Sequence, residues 1–86
     1  SYKGSGNFSA GILNNGNNQV QVVIRSSKAT QVNLTVADMQ GKEVLQEKFS
    51  VYSGGEVKKL NLKPGVYILL MRNDKGEQVS KKVIVR

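Results

Sequence analysis

The sequence predicts an all-β chain, an Ig-like antiparallel β-sandwich of about seven short strands. Three observations carry that prediction. Apolar residues alternate with polar ones, and no segment repeats them at the spacing of a helix. Turn-forming clusters of Gly, Asn and Ser interrupt the alternation about every ten residues, as in sandwich domains. Finally, Leu62-Lys-Pro64-Gly65-Val-Tyr67 has the make-up of a corner between sheets. Pro64 cannot donate to a ladder, and a tyrosine so placed returns its hydroxyl to the backbone upstream.

Residues 1–18 read as a linker with a possible first edge strand at Phe8 to Leu13, and residues 19–86 as the sandwich itself. Asn14-Asn-Gly-Asn-Asn18 is a turn, because Asn and Gly tolerate positive φ. Gln19 to Arg25 places Val20, Val22 and Ile24 on one face, and Gln31 to Ala37 does the same with Val32, Leu34 and Val36. Asp38-Met-Gln-Gly41 is a hairpin turn with glycine at the left-handed position. Lys42 to Val51 returns as a strand whose apolar phase shifts between Val44 and Leu45, which predicts a bulge. After a turn at Ser53-Gly54-Gly55, Glu56 to Leu62 is a strand whose phase also slips, at Lys58-Lys59. Val66 to Met71 is apolar throughout and is expected to be a central strand covered on both faces. Asn73-Asp-Lys-Gly76 closes the last hairpin, and Glu77 to Arg86 forms the final strand.

Composition narrows the function. The chain has 86 residues, no cysteine and no histidine. It therefore lacks disulfides, thiol nucleophiles, the commonest neutral-pH base and the commonest metal ligand. Its six acids (Asp38, Glu43, Glu47, Glu56, Asp74, Glu77) lie beside turns or among polar neighbours, in no pattern that marks a catalytic pair or a calcium loop. Catalytic residues, cofactor and metal are all expected to be none. The net charge is +7, and eight basic against two acidic residues fall between Lys58 and Arg86. Such an end attracts anionic partners, and it equally serves as a solubilising surface. Nucleic acid is not expected, because the aromatics Tyr2, Phe8, Phe49, Tyr52 and Tyr67 are scattered instead of forming a stacking platform. The apolar positions Val83, Ile84 and Val85 run up to Arg86, which points to that end as the working part.

Several stretches together carry a resemblance. They are Val32-x-Leu34-x-Val36-x-Asp38-x-x-Gly41-x-x-Val44, then Leu60-x-Leu62-x-Pro64-Gly65-Val66-Tyr67, then Gly76 and Lys81-Lys82-Val83-Ile84-Val85-Arg86. In that order the chain resembles, from about Gln19 to Arg86, the C-terminal sorting domain of cargo for the type IX (Por) secretion system. It departs from the family in lacking proline near Ile12 to Asn17 and in carrying Ala37 where a tyrosine is common.

The resemblance implies a signal and not a catalyst. Such a tail directs a passenger from the periplasm of a Gram-negative bacterium across the outer membrane to its surface, and is usually cleaved on attachment there. The implied partners are the outer-membrane translocon and a sortase-like surface protease, with anionic lipopolysaccharide as a possible acceptor. The cleavage point is expected in or before Ser1 to Gly11. Gly65, Val66 and Tyr67 match the corner motif, and Lys81, Lys82, Val83, Ile84, Val85 and Arg86 the terminal motif; these nine are the expected recognition residues. Lys81 and Lys82 also suit a second role, as charges that keep an edge strand from pairing with other sheets. The alternative reading is an Ig- or fibronectin-like accessory module that binds glycan or spaces domains. The sequence leaves the oligomeric state open.

Overall fold

The computed structural model describes residues 8–14, 18–52 and 54–86. Seven strands form: β1 (Phe8–Asn14), β2 (Gln19–Ser26), β3 (Thr30–Asp38), β4 (Glu43–Val51), β5 (Glu56–Asn61), β6 (Gly65–Asn73) and β7 (Gln78–Val85). All pairings are antiparallel. One sheet has the order β1-β2-β5 and the other β4-β3-β6-β7, so the chain passes between sheets after β2, β4 and β5. The fourth strand thus lies beside the third and not beside the fifth, unlike the constant-type immunoglobulin arrangement. The Asn14–Asn18 turn and the Ser53 turn fall partly outside the described residues; within them, Asn18 has φ 63° and Gly54 φ 104°.

Alternation builds the core. Val20, Val22 and Ile24 of β2 face Val32, Leu34 and Val36 of β3 and Leu69 and Met71 of β6, all fully buried. A buried aliphatic side chain of this size contributes about 1.5–3 kcal/mol. Phe8 joins the same cluster, so β1 supplies the core as well as an edge. The expected bulge is present: Val36 pairs with Leu45 but Ala37 with Glu43, leaving Val44 unmatched.

Two expectations need correction. The β5 register against β2 is unbroken from Glu56 to Asn61, so the apparent slip at Lys58-Lys59 is not a backbone irregularity. Val57 simply points outward and pairs with Val23 on the outer surface. Nor is β6 covered on both faces. It is an interior strand, but Val66, Ile68 and Leu70 on its outer face are only half-buried, because no layer covers that sheet among the described residues.

Both hairpins of the larger sheet close with the same chemistry. Asp38 Oδ1 accepts from the Gln40 and Lys42 amides, each at 2.9 Å, and Asn73 Oδ1 from the Lys75 and Glu77 amides at 3.0 and 2.9 Å. Gly41 and Gly76 both sit at φ 85°, the left-handed position that a side chain disfavours. At the β6–β7 end, Thr30 Oγ1 donates to Asp74 Oδ1 at 2.7 Å and the Asp74 amide to Gln31 at 3.1 Å, which fastens this hairpin to the start of β3.

The Thr30 hydroxyl holds the Asp74 carboxyl below the ordinary aspartate value; partial desolvation acts the other way, and the Gln31 backbone and the Lys75 charge add to the lowering. A depressed folded pKa stabilises above the unfolded pKa and is lost as pH falls through the folded one. Urea midpoints are therefore expected to separate the parent from Thr30→Val at about pH 6 and to converge toward about pH 2. Gly55 gives a second test. It has φ 121°, and a Cβ there would lie 2.8 Å from the Ile24 carbonyl oxygen. Gly55→Ala is expected to cost about 1–3 kcal/mol in urea unfolding.

Candidate functional site

Pro64 stands where the chain leaves β5 in one sheet and enters β6 in the other. The Tyr67 hydroxyl donates to the Lys63 carbonyl at 2.7 Å, closing the corner as its sequence predicts. Gly65 is the floor of that corner: a Cβ there would stand 3.4 Å from the Tyr67 Oη and 3.5 Å from the ring carbons Cε2 and Cζ. Gly65 also pairs with Val85, so the corner and the end of the last strand are one structural unit.

Alternation then divides the nine expected recognition residues. Tyr67, Val83 and Val85 point into the core, at 9%, 5% and 3% exposure, and present no side chain to a partner. Lys82 and Ile84 point out, Ile84 being 49% exposed, and Val66 lies opposite Ile84 on the same surface. Arg86 is exposed just beyond the strand. Lys81 occupies the inward row together with Val79, Val83 and Val85, yet is exposed, because β7 is an edge strand and the side chain reaches the open side of the sandwich.

The two open sides of the sandwich differ. Between β4 and β5, Lys58 Nζ lies 3.3 Å from Glu47 Oε1 and 4.8 Å from the centre of the Phe49 ring. This is the one ion pair among the described residues. Between β1 and β7 no such pair forms among the described residues, and neither strand contains an Asp or Glu. Lys81, Lys82 and Arg86 are therefore cations without a paired carboxylate among the described residues, in a form an anionic partner can use.

Sequence reasoning missed Ile68 and Leu70. They follow Val66 at two-residue steps and extend the outward row from the corner motif along β6. The signal is six consecutive apolar residues, Val66 to Met71, a pattern that by itself predicts burial on both faces. Among the described residues no group of three or more His, Cys, Asp or Glu converges as a metal centre would require.

Residues 14–86 match the family model described as the secretion system C-terminal sorting domain. No curated protein matches the chain.

Removing the Tyr67 hydroxyl isolates the corner. Tyr67→Phe is expected to cost about 1–2 kcal/mol, since the Lys63 carbonyl loses its donor while the ring packing stays. Urea unfolding measures this, with the slope of the transition unchanged.

Proposed function

The chain belongs to the family of secretion system C-terminal sorting domains, and from that premise we propose how its surface is read. It serves as a C-terminal sorting signal for type IX secretion, which carries protein across the outer membrane, and it acts through the type IX machinery. The match over residues 14–86 carries this assignment.

The outward members of the terminal strand, Lys82 and Ile84, together with Lys81 and Arg86, are the residues the translocon contacts. Gly65, Tyr67, Val83 and Val85 act by holding that strand in place. What supports this division is burial: a receptor reads exposed side chains, and only the first set is exposed. A sortase-like surface protease then cuts before Phe8. What supports this position is that from Phe8 the chain is paired with β2, and Phe8, Ala10 and Ile12 pack on the core, which withholds that stretch from a protease.

The test fuses the 86 residues to the end of an inert periplasmic reporter in a host with a type IX system. Deleting Lys81 to Arg86 is a poor control, because it removes Val83 and Val85 from the core. The triple substitution Lys81→Ala, Lys82→Ala, Arg86→Ala changes only exposed side chains. Delivery of the parent fusion to the surface or medium is expected, with the triple variant reduced about tenfold or more and its circular dichroism unchanged. Equal delivery of a folded triple variant would show that the terminal cations are not read.

A further inference from the structure

The larger sheet has an outer face of unusual composition. Reading across the strands from β4 to β7, one row is Glu43, Ala37, Ile68, Lys82, and the next is Gln46, Thr35, Leu70, Ser80. Val66 and Ile84 continue the surface toward the corner. Val66, Ile68, Leu70 and Ile84 thus form a contiguous aliphatic island with Ala37 at its side. A sheet with one face to water normally alternates apolar inward and polar outward. Strand β3 largely keeps that rule, with Gln31, Asn33 and Thr35 outward, while β6 breaks it for three consecutive outward positions. On the smaller sheet the outward positions are mostly polar (Ser9, Gln19, Gln21, Arg25, Lys59, Asn61), with Val23, Val57 and the exposed Leu13 among them.

The geometry points to this outer face of β4-β3-β6-β7 as a docking surface for a protein of the secretion machinery that is apolar at its centre and acidic where it meets Lys82. The inference rests on the sorting-signal reading and names the surface through which that signal is engaged. Charge selects the occupant. Lys48, Arg72 and Lys82 surround the island against one acid, Glu43, and Arg86 follows Ile84 and Val85 at its end. Gln78 already holds the Arg72 guanidinium, at 3.2 and 3.3 Å, which leaves Lys82 as the cation nearest the island on the β7 side. A second copy would bring another net charge of +7 to the same surface, so long-range repulsion favours an acidic partner over self-association. A lipid surface fits less well. The outward rows contain no Tyr, Trp or Phe, and Val66, Ile68 and Leu70 are half-buried in a sheet that cannot push them into a bilayer. Strand β6, which carries Val66, Ile68 and Leu70, is held on both sides by unbroken registers, so docking there orders little that is not already ordered.

The test uses the reporter fusion with two paired changes. Ile68→Thr with Leu70→Thr makes the island polar while keeping β-branched strand formers; Val23→Thr with Val57→Thr does the same on the smaller sheet. Circular dichroism and urea midpoints establish folding. The expected result is delivery of the parent and of the Val23/Val57 control, with the Ile68/Leu70 variant reduced about tenfold or more. Lys82→Glu, at an exposed edge position that leaves the core intact, is expected to reduce delivery in the same way and covers the case in which the double variant fails to fold. Normal delivery of Lys82→Glu and of a folded Ile68/Leu70 variant would overturn the docking surface and leave the sorting signal standing. Failure of the parent fusion would remove the sorting reading and this inference with it. The purified chain separates the other occupants. Flotation with anionic phosphatidylglycerol vesicles, or a concentration-dependent increase in size, each lost in the Ile68/Leu70 variant, would assign the face to lipid or to a second copy and overturn the proposal.

Discussion

The register of β6 is the constraint on which the rest of this sandwich depends. The strand is hydrogen-bonded to β3 on one side and β7 on the other, without a break from Tyr67 to Arg72. Because side chains alternate, a slip of one residue would exchange Tyr67, Leu69 and Met71 for Val66, Ile68 and Leu70 in the core. Both sets are apolar, so hydrophobicity alone specifies the register weakly. The Tyr67 hydroxyl on the Lys63 carbonyl fixes where the strand begins, and the Asn73 turn fixes where it ends. Polar contacts at the two ends thus decide what the apolar middle cannot.

The same logic governs the edges. A sandwich of two open sheets has four edge strands, each able to pair with another chain. The β4–β5 side is closed by Lys58 against Glu47 and Phe49, and its β4 edge is interrupted by the bulge at Val44. On the β1–β7 side the strands come close, but no ion pair joins them among the described residues. Lys81 in an otherwise inward row makes it unsuitable for a second apolar sheet, while leaving it attractive to a carboxylate. One exposed cation thus both guards the edge and leaves a positive charge there.

Much of this was legible in the sequence, for reasons particular to each element. The alternation in Gln19 to Arg25 and Gln31 to Ala37 has period two, and the structure buries the residues it marks. The phase shift at Val44-Leu45 was a true bulge, because both neighbouring segments alternate cleanly and only an extra residue reconciles them. At Lys58-Lys59 the same kind of evidence misled: Val57 is apolar yet outward, and no local rule distinguishes an exposed valine from a displaced core residue. The corner was readable because Pro, Gly and Tyr each have one conformational use there. The residues of the corner and terminal motifs were readable only as a contiguous string. Their division into core and surface needs the register, and the outward row of Ile68 and Leu70 becomes visible only because no layer covers that face among the described residues. The Lys58–Glu47 pair joins strands of different sheets, and no pattern within either strand announces it.

One feature of the topology bears on how such a domain withstands being moved. Phe8 pairs with Ser26 at one pole of the sandwich, whereas Val85 pairs with Gly65 at the other, and the body is 39 Å along its longest axis. Tension applied between the segment entering β1 and the end of β7 therefore runs along the strands and nearly at right angles to their interstrand hydrogen bonds. The β1–β2 and β6–β7 ladders are then loaded in shear, with all their bonds sharing the force. Were the start of β1 and the end of β7 at one pole, the bonds would peel apart one at a time. A domain strung this way meets a pull from one end to the other with two whole ladders at once.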